Sequence, residues 1–388
     1  MCWRPRCGDE VRSRGIRASV ASIGQLSDDP GLRARAGLKQ QPGGNPRRIQ
    51  VFQSARFSLI ELDTDRLLES LASEVRAGLT AIPKRIPCRF FYDEVGSQIF
   101  EEICELPEYY LTRAESEILR DHAEDVARRY SLPILLVELG SGSSTKTRLL
   151  IEALLREHGA LSYVPVDISP SALEASALQL LDDYKRLEVR AIAGEYQDGL
   201  RRIRRDTQRP KLILWLGSSI GNLDRQSTER FVSNLRGGMN LQDRLLLGID
   251  LRKDHEMLES AYDDSSGVTA RFNRNLLERI NRELGGQFDS ETFDFHATYD
   301  EVGGRVVSHL RSRREQTVRI EDLDLDVEFA ASETIHTENA FKYSPTEIDA
   351  LARCTGFALE EHWLDAQNRY SVNLFAPISP IGAPISPG

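Results

Sequence analysis

Long hydrophobic runs are missing from this 388-residue chain. None approaches the ~18 apolar residues that a membrane-crossing helix needs. The longest, such as ILLVELG and LILWLG, have the length of buried strands. Paired cysteines are missing too: Cys2, Cys7, Cys88, Cys104 and Cys354 are odd in number and scattered, with no CxxC spacing. That argues against a structural zinc site and a disulfide framework, and fits reduced thiols in a cytosol. The seven histidines are equally dispersed, so no metal is expected. Internal repeats and a dense basic stripe are also absent. The expectation is a soluble cytoplasmic protein with no membrane and no nucleic-acid partner.

Charge is present but uneven. Residues 1–50 carry a net charge of +6 in a whole chain of −10, which leaves −16 on the remainder. An acidic body repels phosphate backbones. The first fifty residues are rich in Arg, Gly, Ser and Pro without apolar periodicity, and read as a disordered leader. An Arg-rich, acid-poor leader is also the composition of a transit peptide, although Asp9, Glu10, Asp28 and Asp29 count against it.

Regular patterning starts near residue 63. Leu67, Leu68, Leu71, Val75 and Leu79 form one helical stripe. An aromatic-rich stretch follows (Phe90, Phe91, Tyr92, Phe100, Tyr109, Tyr110), and Thr112 with Glu115 has the spacing of a capping box that opens a helix to about Tyr130. Strands then read at 134–138, 162–168, 188–193, 211–216 and 244–250, with helices at about 146–157, 170–184 and 224–237. Ser169 and Pro170 supply the cap and first position of the second of these helices. Short apolar strands alternating with helices predict a doubly wound α/β sheet covered on both faces. Residues 255–341 break the rhythm with a helix pair and a run of alternating strands, as an inserted α+β lobe would. Asp300 to Gly304 carries hairpin-turn residues. A capped helix, SPTEIDALARCTG, and two closing strands complete the pattern.

The first strand-to-helix turn reads ELGSGSSTKT. Gly140 and Gly142 admit close backbone approach, but Thr145 occupies the third glycine position of a dinucleotide fingerprint. S-adenosylmethionine (SAM) has no phosphate and tolerates a looser turn, and Lys146 is placed to pair with its carboxylate. Asp167 ends the second strand, where an acid accepts from ribose hydroxyls. The closing strand pair is typical of SAM methyltransferases, by analogy of fold. WLGSSIGNL places Gly217, Gly221 and Asn222 at the carboxyl edge of the sheet; Asn222 also suits the cap of the following helix.

Together, FFYDEVGSQIFEEICELPEYYLTRAE, LVELGSGSSTKTRLL, WLGSSIGNL, AYDDSSGVTARFNRNLLERINREL and LRSRR make residues 57–377 resemble the histidine Nα-methyltransferases of ergothioneine biosynthesis. The resemblance implies a Rossmann-like SAM methyltransferase core over 115–254 and 342–377. It adds an α+β substrate-binding domain over 51–114 and 255–341, with a tail at 378–388. It places Tyr92, Gly140, Lys146, Asp167, Glu195 and Tyr196 on the cofactor, with Glu195 standing where the family has Asp. Tyr109, Asn222 and Tyr262 hold the amino acid's α-amine and carboxylate and serve as the catalytic set, and Glu338 recognises the imidazole. Taken singly, Tyr92 and Tyr109 read as core, Tyr262 as helix packing and Glu338 as a solvated residue after a strand. Two pocket positions depart from the family: Ala340 replaces a serine and Ser308 replaces a methionine.

The implied activity is threefold methylation of the histidine α-amine to histidine betaine (hercynine), by a monomer. The protein's part is to position and desolvate a neutral amine, with cation–π support from the Tyr rings, and no strong base is required. Three alternatives stand beside it: the same chemistry on another free amino acid, an NAD-dependent dehydrogenase, and a non-catalytic binder.

Overall fold

The computed structural model describes residues 49–53, 55–62, 64–206 and 209–379. Nearly all of the leader expected over 1–50 and of the tail expected over 378–388 lies outside these residues, as do the side chains of Leu67 and Leu68.

The described chain opens with the hairpin β1 (Ile49–Gln53) and β2 (Phe57–Leu62), then α1 (Thr64–Leu79), the two-residue β3 (Lys84–Arg85), α2 (Glu94–Glu105) and α3 (Leu111–Ala127). Strand and helix then alternate: β4 (Leu135–Leu139), α4 (Thr147–His158), β5 (Leu161–Asp167), α5 (Pro170–Asp183), β6 (Leu187–Ala193), α6 (Tyr196–Asp206), β7 (Lys211–Trp215), α7 (Arg225–Arg236) and β8 (Arg244–Asp250). The elements anticipated in this stretch fall within a residue or so of these bounds. Helix α6 was not anticipated. Its sequence is dominated by Arg and Asp, and Leu200 and Ile203, three residues apart, turn into the core while Tyr196 packs against it at the start.

Nine strands form one sheet in the order β1-β2-β6-β5-β4-β7-β8 and then the closing strands β15 (Tyr370–Pro377) and β14 (Phe357–Leu364). From β2 to β8 neighbours run parallel; β1, β15 and β14 are antiparallel to theirs. Both faces are packed. On β7, Leu212 and Leu214 enter one hydrophobic cluster while Ile213 and Trp215 enter the other, as expected of a parallel strand covered by helices on both sides. Strands β1 and β2 extend this sheet beyond β6. The segment 49–62 therefore belongs to the large sheet and not to the second domain expected for 51–114.

The inserted region consists of α8 (His255–Tyr262), α9 (Val268–Leu284), β9 (Phe293–Asp300), β10 (Arg305–Ser312), the small hairpin β11 (Gln316–Ile320) and β12 (Leu325–Phe329), and β13 (Thr334–Phe341). A second sheet has the order β3-β13-β10-β9, so the early segment 84–85 does join the inserted lobe. Helix α9 packs on α2, tied by Asp93. That carboxylate caps α2 through Gly96 N at 2.7 Å and also accepts from Asn275 Nδ2 at 2.8 Å. Helix α10 (Pro345–Cys354) begins with a capping box between Ser344 and Glu347, and α5 begins at Pro170 with Ser169 as its cap.

Two local expectations fail. Glu115 is not part of a capping box: α3 starts one residue before Thr112 without a side-chain cap, and Glu115 is fully buried. Glu338 does not follow a strand; it lies within β13, opposite Ser308 on β10. The bulge between Ser308 and His309 makes Thr337 the extra residue, which disturbs the alternation that would have revealed the strand.

Candidate active site

The sheet order reverses its direction of growth at β4, with β5 on one side and β7 on the other. Such a switch point opens a crevice at the carboxyl ends of the strands. After β4, Gly140 (φ 75°) and Gly142 (φ 48°) both adopt left-handed conformations. A Cβ at Gly140 would stand 2.5 Å from the Tyr196 hydroxyl, whereas one at Gly142 would meet nothing within 4 Å. The first glycine therefore lets Tyr196 close over the turn, and the second leaves open space. Asp167, at the end of β5, accepts from Gly142 N at 3.0 Å and Ser169 N at 3.1 Å. Burial raises its pKa above the usual aspartate value, partly offset by those amides. A carboxylate has about four lone-pair sites, so two remain for hydroxyl donors. Tyr196 opens α6 beside Trp215, with ring centroids 6.3 Å apart. Glu195, just before it, is exposed.

Lys146 is engaged within the protein. Its ammonium pairs with Glu115, whose carboxylate also accepts from Gly217 N at 2.9 Å and Tyr370 Oη at 2.7 Å. Space for this buried acid comes from Gly248 on β8, where a Cβ would overlap the carboxylate. Burial opposes the Lys146 charge, but the adjacent Glu115 outweighs it and holds the lysine pKa above its ordinary value. An ammonium carries three donors, so Lys146 retains capacity for a second anionic group.

The lobe faces this edge. Tyr92, Phe100, Tyr109 and Tyr262 form a chain of edge-to-face contacts with centroid separations of 5.5, 6.2 and 6.2 Å. Glu338 projects on the same face of β13 as Ala340; their cross-strand partners on β10 are Ser308 and Val306. Among the described residues nothing donates a hydrogen bond to the Glu338 carboxylate. Burial raises its pKa to about 7, offset in part by Lys342. Cys88, Tyr92, Tyr109 and Tyr262 all have pKa values raised first by burial, and all four also feel the Glu338 charge. The four predicted side chains Tyr92, Tyr109, Tyr262 and Glu338 thus lie in one neighbourhood, with Tyr109 buried and the other three half-buried. Ser308 and Ala340 are buried beside it.

Asn222 lies on the turn after β7, pressed against β13: a Cβ at Gly221 would stand 2.9 Å from Phe341 O. Its side-chain amide has no hydrogen-bond partner among the described residues. The cap of α7 is Asp224, which accepts from Ser227 N at 2.7 Å, so the capping role considered for Asn222 does not apply.

Sequence reasoning missed a buried ionic network under Tyr262. Asp250, at the end of β8, is fully buried and pairs with Lys342 Nζ at 2.7 Å and Lys253 Nζ at 2.5 Å, and accepts from Tyr110 Oη at 2.8 Å. Burial alone would raise its pKa; the two ammoniums outweigh that and hold it below the usual range. Lys342 also donates to Tyr262 Oη at 2.7 Å. A strand-end position like that of Asp167 was the available signal for Asp250. Lys342 gave none, because β13 was not recognised.

A doubly wound sheet closed by an antiparallel strand pair, with a glycine turn and a strand-end acid at its switch point, is the framework of a SAM-dependent methyltransferase. Comparison with known proteins narrows this. Residues 71–377 match the histidine-specific, SAM-dependent methyltransferases, and the chain belongs to that family. It is 41% identical over 307 residues to a histidine N-alpha-methyltransferase of Mycobacterium tuberculosis, covering 79% of this chain and 95% of that one. Against the protein of the same description from Mycolicibacterium smegmatis the identity is 39% over 313 residues, covering 81% and 97%. A third relative, ergothioneine biosynthesis protein 1 of Neurospora crassa, is 32% identical over 300 residues, 76% of this chain but 33% of that longer one. The chain is therefore an S-adenosylmethionine-dependent N-methyltransferase, and the dehydrogenase alternative falls away. No helix among the described residues is long and apolar enough to cross a membrane.

Proposed function

We propose that this protein methylates the α-amine of free L-histidine, three times in succession, to histidine betaine (hercynine), the first step toward ergothioneine. The observation that supports this reading best is the convergence of two half-sites at one sheet edge. One is the turn of Gly140 and Gly142 with Asp167 and Lys146; the other is the aromatic space closed by Glu338.

The residues suit SAM. Asp167 has acceptor sites for ribose hydroxyls, Gly142 leaves open space, Tyr196 and Glu195 stand where the adenine would lie, and Lys146 has donors for a carboxylate. Tyr92 completes that side. When bound, the cofactor supplies an electrophilic methyl group on a sulfonium. The protein's own contribution is positioning and dehydration. Tyr109, Asn222 and Tyr262 hold the substrate's amino and carboxylate groups, and their buried phenols stay neutral because burial raises their pKa values. Neutral phenols and an amide orient the amine without adding a second charge beside it, and the buried space excludes water. Each transfer turns a neutral amine into an ammonium of single charge, which the tyrosine rings favour, and a proton passes to water before the next transfer.

Glu338 is the side-chain selector. A half-buried carboxylate with no hydrogen-bond donor among the described residues is open to a donor from the ligand, and an imidazole N–H provides one. Ala340 offers no hydroxyl beside it, while Ser308 directly across the strand pair does. The imidazole contact therefore passes through Glu338 and Ser308 in this chain. The helix pair and second sheet act as the substrate lobe and the nine-stranded sheet as the cofactor core. The acidic net charge of −10 supports a small zwitterionic substrate over a nucleic acid, and the proposed setting is a cytoplasmic monomer.

Incubation with methyl-labelled SAM and an equimolar mixture of the protein amino acids tests this directly. Mass spectrometry should show trimethylated histidine as the dominant product. Label on a different amino acid would reassign the substrate, and no labelled product would make the chain a non-catalytic binder.

A further inference from the structure

Lys342 is fully buried, sits on the last turn of chain before α10, and touches two groups: Asp250 Oδ2 at 2.7 Å and Tyr262 Oη at 2.7 Å. Neutralising Asp250 does not need it. That carboxylate already has the Lys253 ammonium and the Tyr110 hydroxyl on its other oxygen. With Lys342 the directly paired group holds two cations to one anion, and the further carboxylate that Lys342 acts on is Glu338, across the aromatic space. The Lys342 ammonium lies against the ring of Tyr262, 4.2 Å from its centroid.

The direction of the hydrogen bond matters. An ammonium is a donor only, so Tyr262 Oη accepts from Lys342 and its own O–H must point elsewhere. Among the described residues it has no acceptor. We propose that Lys342 is a positioning residue for methyl transfer: anchored by Asp250, it fixes the Tyr262 hydroxyl so that the O–H is presented to the substrate carboxylate. A hydroxyl left free to rotate would be able to donate into the lone pair of the amine, the electron pair that must attack. Lys342 removes that option and adds favourable charge on the carboxylate side. The inference rests on the reading of Tyr262 as a residue that holds the amino acid.

A double-mutant cycle tests it. Lys342→Met and Tyr262→Phe should each lower kcat/KM for histidine by about ten- to a hundredfold, since each removes one hydrogen bond to a charged group. The KM for SAM should stay within about twofold. The double variant should be no worse than the poorer single one, because both changes remove the same oriented hydroxyl. A Lys342→Gln variant, which keeps a donor for Tyr262, should recover part of the loss seen with methionine; if Lys342→Met folds poorly, Lys342→Gln is compared with Tyr262→Phe instead and should retain the higher kcat/KM. Multiplicative losses in the double variant, or equal impairment by Gln and Met, would overturn the positioning role. A silent Tyr262→Phe would also overturn it while wild-type methylation of histidine kept the functional reading intact. Absence of any histidine methylation by the wild type would instead remove the reading on which it rests.

Discussion

Replacing Glu115 by glutamine changes one atom on a fully buried side chain, yet it should weaken both the fold and cofactor binding. The carboxylate accepts from Gly217 N, Tyr370 Oη and Lys146 Nζ. A glutamine amide accepts at one oxygen only. Oriented to keep Tyr370 and Gly217, it turns its NH₂ toward the Lys146 ammonium, donor against donor. A buried donor left unpaired costs about 1–3 kcal/mol. The Lys146 side chain is 24% exposed, so water recovers part of that; a loss of about 2 kcal/mol follows, or roughly 3–6 °C in Tm. The opposite orientation loses two contacts and costs more. Lys146 then has no internal anchor, and Gly217, where the Asn222 turn begins, is held less firmly. Loss of the Glu115 charge also frees Lys146 to attract an anionic group more strongly, but a half-released lysine spends that charge in solvent. The net expectation is a several-fold higher KM for SAM with a smaller change in kcat. Differential scanning fluorimetry and initial rates across SAM concentrations are the assays. A Tm within about 1 °C of wild type together with an unchanged or lower KM would refute the reasoning.

Gly248→Ala should reproduce that phenotype from the opposite side, because its new methyl overlaps the Glu115 carboxylate; a Tm equal to wild type would show that α3 yields freely. Glu338→Gln should change the pH dependence of stability. The folded-state pKa of about 7 lies above the ordinary value of 4.5, so ionisation destabilises the ligand-free protein as pH rises from about 4.5 to 7. Glutamine removes that penalty, about 3 kcal/mol at full ionisation. The variant should gain on wild type through that window in denaturant melts while losing histidine affinity; a pH-independent difference would contradict it. Tyr109→Ala should reduce turnover at saturating SAM by an order of magnitude or more, and unchanged kinetics would remove Tyr109 from the site.

Legibility from sequence followed the strength of local signals. Apolar strands β4 to β8 alternate with capped helices, and each announces itself by length, by turn residues or by caps such as Ser169 and Ser344. Helix α6 escaped because its sequence is mostly charged, with few apolar residues to mark a periodic face. The hairpin β1–β2 escaped because it adjoins a polar leader and acquires its place only by pairing with β6, a contact between residues far apart in sequence. At the site, Gly140, Gly142 and Asp167 were readable because backbone conformation and strand-end position constrain the residue type. Lys146 was found as a cation, but its partner was not: Glu115 has the spacing of a cap, and only the tertiary fold turns it inward toward Gly217 and Tyr370. Asp250 is a charged residue at the end of a buried strand, where sequence patterns predict apolar ones, and Lys342 just follows β13; their pairing between segments far apart in sequence leaves no local trace. The lobe residues Tyr92, Tyr109, Tyr262 and Glu338 are ordinary one by one; motif resemblance singled them out, and the structure sets the three tyrosines in one edge-to-face chain through Phe100.

The central claim is that one crevice holds the nucleoside on the sheet edge and the amino acid under the lobe. A crystal structure with S-adenosylhomocysteine and histidine tests it most directly. The account predicts ribose hydroxyls on Asp167, the histidine α-amino and carboxylate groups among Tyr109, Asn222 and Tyr262, and the imidazole on Glu338. Histidine bound away from β13, or a nucleoside bound anywhere other than the Gly140 turn, would contradict it.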